Sequence, residues 1–192
     1  MYPENVKAAY KDPTNIAARV SRLNPSWTEE STPEDEIYKR FEKAVEITGA
    51  ELVAAVENIA NSYLPGRSIT KSGFDARFDV DPSGKIIVLP QFCPYKSHLT
   101  DLEEAHNLNE DQLPLYVLFA DQSSSWRIQA IAIESGSFVT RKALPEPWRG
   151  VRDEELSTLT GVPGCIFIHA SGFIGGAKTK DAVLRLAKLA LE

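Results

Sequence analysis

The chain has 192 residues, of which 43% are hydrophobic and 25% charged, a composition typical of a globular protein with one sizeable core. Its net charge of −6 argues against a generally basic protein that coats nucleic acid. No stretch is long and apolar enough to span a bilayer, and the sequence does not begin like a secretory signal, so we expect an intracellular protein without a membrane partner.

The charges are distributed unevenly. Residues 125–192 carry nine Lys and Arg against seven Asp and Glu, whereas the rest of the chain carries twelve against twenty. We therefore expect any site for an anion to lie in the C-terminal third.

Side chains that could bind a metal do not cluster in the sequence. Cys93 and Cys165 lie far apart and outside any Cys-x-x-Cys pair, which argues against structural zinc and fits a reducing compartment. Cys165 lies in an apolar run and is expected to be buried. His98 and His106 have no Asp or Glu at the spacing of a familiar metal motif, so we expect them on the surface.

The first elements in chain order are helical. Residues 1–31 are expected to form an arm with one short helix, residues 15–22, ahead of a domain of residues 32–192. A long helix should begin with Thr32 as its cap and end before Pro65. Its apolar residues recur at helical spacing and could form an interface between subunits: Ile37, Phe41, Ala44, Val45, Leu52, Val56, Ile59, Ala60 and Tyr63.

The middle and the end of the chain mix helices and strands, which predicts an α+β fold: a mixed, largely antiparallel sheet with helices packed on it. The expected elements are a helix over 68–77, a β-hairpin of 78–80 with 86–89, a helix over 96–106, a hairpin of 115–120 with 126–133, a basic proline-rich loop over 141–152, a helix over 153–161, a strand over 165–169, a glycine-rich loop, and a last helix capped by Thr179.

The glycine-rich segment of residues 169–176 is the strongest candidate site. A loop between a buried strand and a helix start exposes backbone N–H groups to an anion, and Lys178 and Lys180 would add positive charge. The alternative is a connection that only eases the packing of helix on sheet. His169 at its start could contact a phosphate or simply anchor the loop.

The loop over 141–152 is the second candidate. Arg141 and Arg149 suit phosphate, and the indole of Trp148 offers a stacking face for a base, although Trp148 could instead pack on the core. Arg127 shares a sheet face with Gln129 and could lie under a ligand or pair with a carboxylate. No nucleophile or metal set for catalysis is identifiable.

Several long strings resemble the melanocyte-proliferating-gene family. They are residues 145–156 and 161–176, with shorter matches over 17–27, 78–84, 93–96 and 125–129. The family's members are DHH-type, metal-dependent phosphoesterases described as 3′-to-5′ RNA exonucleases and formerly as metal-dependent protein hydrolases. The resemblance implies a fold like the DHH-associated substrate-binding domain, and a location in the nucleus, mitochondrion or cytoplasm.

The family's catalytic motifs are missing from this sequence. Its Thr-His-Asn-Gly-x-Phe-His-x-Asp-Glu segment and Asp-His-His cluster do not occur here. The resemblance therefore implies a C-terminal lobe that binds single-stranded RNA or another phosphodiester. The divalent metal, Mn or Mg, and the catalysis would belong to a missing N-terminal DHH lobe, so this chain should be inactive alone.

The residues expected to bind substrate are His169, Ser171, Gly172, Phe173, Gly175, Gly176, Lys178, Arg149, Trp148, Arg127 and Arg141. The alternative function is a structural module that holds a homo-oligomer together without binding a ligand. An independent small-molecule enzyme is a further alternative.

Overall fold

A computed structural model describes residues 13–29, 31–134 and 136–192, and these are the described residues. The first twelve residues of the predicted arm lie outside them. The chain divides into two compact units after Asn61. The predicted division into an arm of residues 1–31 and a domain of residues 32–192 stays a prediction.

The described residues of the first unit form two α-helices. The short helix α1, Ile16–Ser21, is capped by Asn15, whose side chain accepts a hydrogen bond from the Ala18 N–H at 2.8 Å, which confirms the predicted helix. The long helix α2, Glu34–Asn58, has three acidic residues in its first turn, and Pro33 rather than Thr32 occupies the cap position.

The predicted apolar stripe of α2 is exposed. No residue of this helix is buried, and Phe41 and Leu52 retain 61% and 67% of their accessible surface. Large apolar side chains exposed in a row are a feature of surfaces that bind partners.

The second unit starts with helices. Two predictions for this segment were wrong: the end of the long helix before Pro65, and the strand over residues 78–80. After a π-helical turn, Ile59–Tyr63, helix α3 spans Leu64–Asp75 and includes Pro65. Proline fits there because the first turn of a helix leaves its N–H groups unpaired anyway. The short helix α4, Arg77–Val80, replaces the first strand of the hairpin predicted around residues 81–84, which was therefore wrong.

The remaining elements follow the predicted order, with one additional strand near the C-terminus. They are β1 Ile86–Leu89, α5 Tyr95–Ala105, a 3₁₀ turn Glu110–Gln112, β2 Tyr116–Ala120, β3 Trp126–Ala130, a 3₁₀ turn Glu146–Trp148, α6 Asp153–Thr160, β4 Cys165–Ile168, β5 Ile174–Ala177 and α7 Lys180–Leu189. Helix α6 ends at Gly161 in the left-handed conformation, as predicted, but its N-cap is Arg152 and not Asp153.

The five strands form one sheet in the order β1-β2-β3-β5-β4. Strand β1 runs parallel to β2, and every other neighbouring pair is antiparallel. The prediction of an α+β fold with a mixed, largely antiparallel sheet is confirmed.

Two apolar clusters lie on the two faces of the sheet. One joins Tyr116 and Ile128 to Val183 and Leu186 of α7. The other joins Val117, Phe119 and Ile131 to Phe74 of α3 and to Tyr95 and Leu99 of α5. Because full burial of such a side chain contributes about 1.5–3 kcal/mol, both faces of this sheet help to hold the second unit together.

The cysteine and histidine predictions have different outcomes. Cys93 and Cys165 are free and buried. His106 is exposed as predicted, but His98 is only 1% exposed, because its Nε2 lies 2.8 Å from the carbonyl oxygen of Tyr63 and its ring stacks on that tyrosine. No helix in the part of the chain described has both the length and the apolar character to cross a membrane.

Candidate functional site

The glycine-rich segment is a β-hairpin and not a loop that enters a helix. Strands β4 and β5 pair antiparallel, and residues 169–173 form the turn between them. The turn is closed by the His169 N–H, which donates to Ile174, and by the Gly172 N–H, which donates to the carbonyl of His169 at 2.8 Å. The predicted strand-loop-helix arrangement was wrong because residues 174–177 continue the sheet.

His169 is held at this turn through one ring nitrogen. Its Nδ1 accepts a hydrogen bond from the Ser171 N–H at 3.2 Å and lies 2.9 Å from the Ser171 hydroxyl. In the neutral ring the proton therefore resides on Nε2. The imidazole is exposed and meets the ring of Phe173 edge-on, with centroids 4.8 Å apart. Nδ1 thus anchors the turn, which is one of the two roles that the sequence left open for His169, and Nε2 can donate to an anion.

The basic loop lies directly against this turn. The Leu144 N–H donates to the carbonyl of Gly172 at 2.9 Å, and the Gly150 N–H donates to Ile168 at 2.9 Å. Nε of Arg149 donates to the carbonyl of Leu144 at 2.9 Å, so the guanidinium stands beside the turn. The two segments predicted to form one site are therefore neighbours.

Arg149 brings an unpaired positive charge to the turn. Among the described residues, no carboxylate lies within ion-pair distance of it. Its side chain is only partly buried. A guanidinium that is held by its Nε and free at its end is suited to a phosphate oxygen.

A cavity of about 500 Å³ opens beside the same turn. Its floor is the sheet at Gln129 and Ile131, one wall is α5 at Tyr95 and Leu99, and another wall is the turn at His169, Ser171 and Phe173. This volume lies in the range of sites for small organic ligands, about 300–1,000 Å³.

Three of the side chains that were predicted to bind substrate instead contact other parts of the protein. Arg127 pairs with Asp121 at 2.5 Å. Arg141 forms a two-pronged ion pair with Glu103, at 2.7 and 2.8 Å, and also donates to the carbonyl of Pro114. Trp148 is 9% exposed and belongs to a core cluster. For Arg127 and Trp148 these are the alternatives that the sequence analysis left open.

Gly175 and Gly176 are packing residues of β5. A Cβ at position 175 would lie 2.3 Å from Cδ1 of Ile168 and 2.9 Å from the carbonyl oxygen of Phe167. A Cβ at position 176 would lie 2.5 Å from Nη1 of Arg127. Both glycines are buried, and the neighbouring protein atoms leave no room for a side chain at either position.

The start of α7 lies at the other end of β5. Thr179 caps this helix, as predicted, by accepting a hydrogen bond from the Ala182 N–H at 3.1 Å. Lys178 and Lys180 are exposed there. Because the four-residue strand β5 separates the start of α7 from the hairpin turn, these two sites are on the order of 13 Å apart. The residues predicted to form one site therefore lie in two places, with Lys178 at the opposite end of β5 from His169.

The cavity residues contributed by α5 and by the loop after β3 were not identified from the sequence. Tyr95 lies in a string that carried only the resemblance, Lys96 begins a helix for which no site was predicted, and Phe138 lies in a loop that carried no expectation. The local signal for Phe138 was the apolar pair Phe138-Val139 in a loop that is polar over residues 134–137.

The described residues contain no group of three or more His, Cys, Asp or Glu side chains that could hold a metal ion. They therefore do not fit the divalent metal that the resemblance implies. The chemistry available at this site is the binding of an anion and of an apolar or aromatic group.

Comparisons with known proteins agree with the resemblance. The family model for MYG1 exonucleases, described as "Uncharacterised protein family (UPF0160)", matches residues 1–191. The MYG1 protein YER156C of Saccharomyces cerevisiae is 50% identical over 189 residues, which are 97% of this chain and 55% of that protein. The human protein named MYG1 exonuclease is 41% identical over 179 residues, 93% of this chain and 46% of that protein.

The chain thus spans about half the length of the curated relatives that it matches. A third relative, the MYG1 protein of Dictyostelium discoideum, is 42% identical over 97% of this chain. No solved structure matches. Because the family model covers nearly every residue, the chain belongs to the MYG1 exonuclease family.

Proposed function

We propose that this chain binds the end of a single-stranded RNA, or of another phosphodiester, as the C-terminal lobe of a two-lobe exonuclease. The observation that carries the proposal is the meeting of three features at one turn. Among the described residues, the Nε2 of His169 makes no hydrogen bond and the Arg149 guanidinium has no carboxylate partner. Arg149 adjoins Gly172 of the turn, and His169 lines a cavity of about 500 Å³.

The turn offers donors of the kind that phosphate oxygens require. An imidazole N–H and a guanidinium donate to an anion, and such charge-assisted hydrogen bonds are stronger than neutral ones. The turn is also rigid, because its backbone is tied to the loop at Leu144 and to β5 at Ile174. Preorganised donors lose little conformational entropy when they bind a ligand.

Cleavage is assigned to residues outside this chain. The name of the human relative, MYG1 exonuclease, supports a nucleic-acid substrate. The described residues do not fit the implied Mn or Mg, so the metal would be held by a separate DHH lobe. Incubation of the chain with either metal and a model phosphodiester should give no turnover.

Fluorescence anisotropy with a labelled single-stranded RNA tests the binding proposal. Affinity should fall steeply with salt, because phosphate contacts release counterions. Arg149→Gln should weaken binding several-fold and reduce the magnitude of the logarithmic salt slope by about 0.7, the value for one phosphate contact on a single strand. Arg185→Gln is the matched control, since the side chain of this exposed arginine of α7 makes one hydrogen bond within the described residues, to the carbonyl of Gly161 at 3.4 Å.

Equal affinities for the native chain and Arg149→Gln would contradict the proposed placement of the strand. No measurable binding at low salt would contradict the proposal as a whole.

A second candidate function is self-association through α2. The specific observation is the exposure of Phe41 and Leu52 on this helix. Light scattering coupled to size exclusion tests it: a dimer that Leu52→Lys dissociates supports self-association, and a monomer at high concentration removes it.

A further inference from the structure

The lining of the cavity beside the hairpin turn exposes mostly apolar surface, together with polar groups that have no partner among the described residues. Leu99, Ile131, Ala132 and Phe173 supply apolar surface. Tyr95 is only 2% exposed, yet its hydroxyl makes no hydrogen bond to any described residue. The side-chain amide of Gln129, half-buried on β3, likewise makes none within the described ranges.

Polar groups that face a cavity without a partner among the described residues are available to pair with a ligand. An amide such as that of Gln129 presents an adjacent donor and acceptor. The exposed edge of every nucleobase presents adjacent donors and acceptors in the same plane.

Aromatic side chains at the wall and the rim offer stacking faces. Phe173 belongs to the turn and is 36% exposed, and Phe138 lies at the rim with its side chain fully exposed. An unstacked RNA base binds by stacking on such rings. The rings of Phe173 and His169 are in contact. The phosphate of a nucleotide whose base stacks on Phe173 would therefore lie near the imidazole.

The charges around the opening suit an attached phosphate. Lys96 of α5 lines the cavity, is exposed, and has no carboxylate within ion-pair distance among the described residues. Arg141 is neutralised by Glu103, and Glu134 supplies the one acidic side chain among the cavity's lining residues in the described part of the chain. The cation of Lys96 and the Nε2 of His169 thus flank the apolar interior.

We infer that this cavity takes the unstacked base of a terminal nucleotide, with its phosphate at His169 and Lys96. The inference rests on the proposed function and adds the ligand's class, a nucleoside 5′-monophosphate unit. Since the Gln129 amide can present either its oxygen or its nitrogen, the pocket should accept all four bases with little preference. A cavity closed at its floor by the sheet admits one base, which makes the site selective for a strand's end.

The experiment is calorimetric titration of the chain with uridine 5′-monophosphate, adenosine 5′-monophosphate, ribose 5-phosphate and inorganic phosphate. Both mononucleotides should bind about five- to tenfold more tightly than ribose 5-phosphate, the gain from one stacked base. Ribose 5-phosphate that binds as tightly as the mononucleotides would overturn the inference.

Two conservative variants test the pocket without disturbing its shape. Gln129→Leu and Tyr95→Phe should each weaken mononucleotide binding several-fold and leave ribose 5-phosphate unchanged. The control is Phe92→Ala, which removes an exposed aromatic ring packed on Phe119 outside the cavity lining. Equal losses in Phe92→Ala, or none in the two cavity variants, would refute the assignment of the pocket.

RNA with an abasic 3′-terminal nucleotide separates this inference from the proposed function. Weaker binding of the abasic strand supports both, whereas equal binding of the two strands refutes only the base pocket. If neither strand binds, the proposed function fails, and the mononucleotide titration alone decides the nature of the cavity.

Discussion

Gly172 and Arg149 occupy adjoining space at the hairpin turn: a Cβ at position 172 would lie 2.7 Å from Nε of Arg149. The same Nε donates to the carbonyl of Leu144, and the Leu144 N–H donates to the carbonyl of Gly172. Leu144 and Arg149 of the basic loop are thereby held against Gly172, which is more than 20 residues further along the chain. The absence of a side chain at position 172 is what lets the guanidinium lie beside the turn.

Gly172→Ala should therefore reduce both stability and RNA affinity. Its φ of +72° is strained for alanine, and the new Cβ would displace the Arg149 side chain. We expect a loss of about 1–3 kcal/mol in the free energy of unfolding, measured with urea. Gly161→Ala is the control, because its φ is +67° and its added Cβ would meet nothing within 4 Å. A loss of RNA affinity as large in the control would contradict a specific role for Gly172.

Gly175→Ala should destabilise the second unit without a change in the ligand contacts themselves. The new Cβ would overlap Ile168 and the backbone of Phe167, and overpacking of this kind costs about 1–3 kcal/mol. Thermal unfolding should show a midpoint lowered by several degrees. Gly49→Ala, in the exposed helix α2 with nothing within 4 Å, should keep or raise the midpoint. A native midpoint for Gly175→Ala would show that the strand is not tightly packed at this position.

Arg141→Met should be strongly destabilising because it leaves Glu103 without its partner. The side chains of this pair are 12% and 6% exposed, and the loss of one member of a buried pair costs about 3–5 kcal/mol. The double variant Arg141→Met, Glu103→Leu should recover most of this loss, since no buried charge remains unpaired. Urea unfolding of the native chain, both single variants and the double variant measures the coupling. If the losses of unfolding free energy in the two single variants add up to the loss in the double variant, the ion pair contributes no coupling energy.

Stability should fall at alkaline pH in part through Tyr116. Burial raises the pKa of its hydroxyl to about 12, and the hydroxyl donates to the carbonyl of Ala190 at 3.3 Å. Since an exposed tyrosine titrates near pH 10, the folded chain holds this proton more tightly than the unfolded chain does. The resulting stability is fully present below about pH 10 and is lost as the pH rises through about 12.

Comparison with Tyr116→Phe isolates this contribution. The free energy of unfolding of the variant, measured at a series of alkaline pH values, should fall less steeply with pH than that of the native chain. Identical slopes would show that Tyr116 is ionised as readily in the folded state as in the unfolded state.

Local patterns predicted several elements correctly for identifiable reasons. Helix α7 begins at Thr179, whose hydroxyl caps the first turn, and α6 ends at Gly161 in the left-handed conformation. The β2–β3 hairpin forms around a loop in which Asp121 accepts hydrogen bonds from the N–H groups of Ser123 and Ser125. In each case the determining contacts lie within a few residues along the chain.

Predictions failed where a distant segment determined the outcome. Residues 174–177 were expected to form a loop because glycine favours one, yet they pair with β3 and β4 on either side. His98 was expected on the surface, but the carbonyl and the ring of Tyr63 provide a buried partner. The phosphate contact of Arg141 stays a prediction, but the sequence did not indicate that α5 brings Glu103 to its guanidinium.

The sequence by itself determined the family and the α+β class, because these follow from motifs and from local patterns of capping and periodicity. Only the tertiary structure decided which charges remain free. Arg127 and Arg141 are neutralised by carboxylates that the sheet and α5 bring to them, whereas Arg149 keeps an unpaired guanidinium among the described residues. Only the tertiary structure places Tyr95 and Gln129 around one cavity, since that requires a helix and a strand to pack face to face.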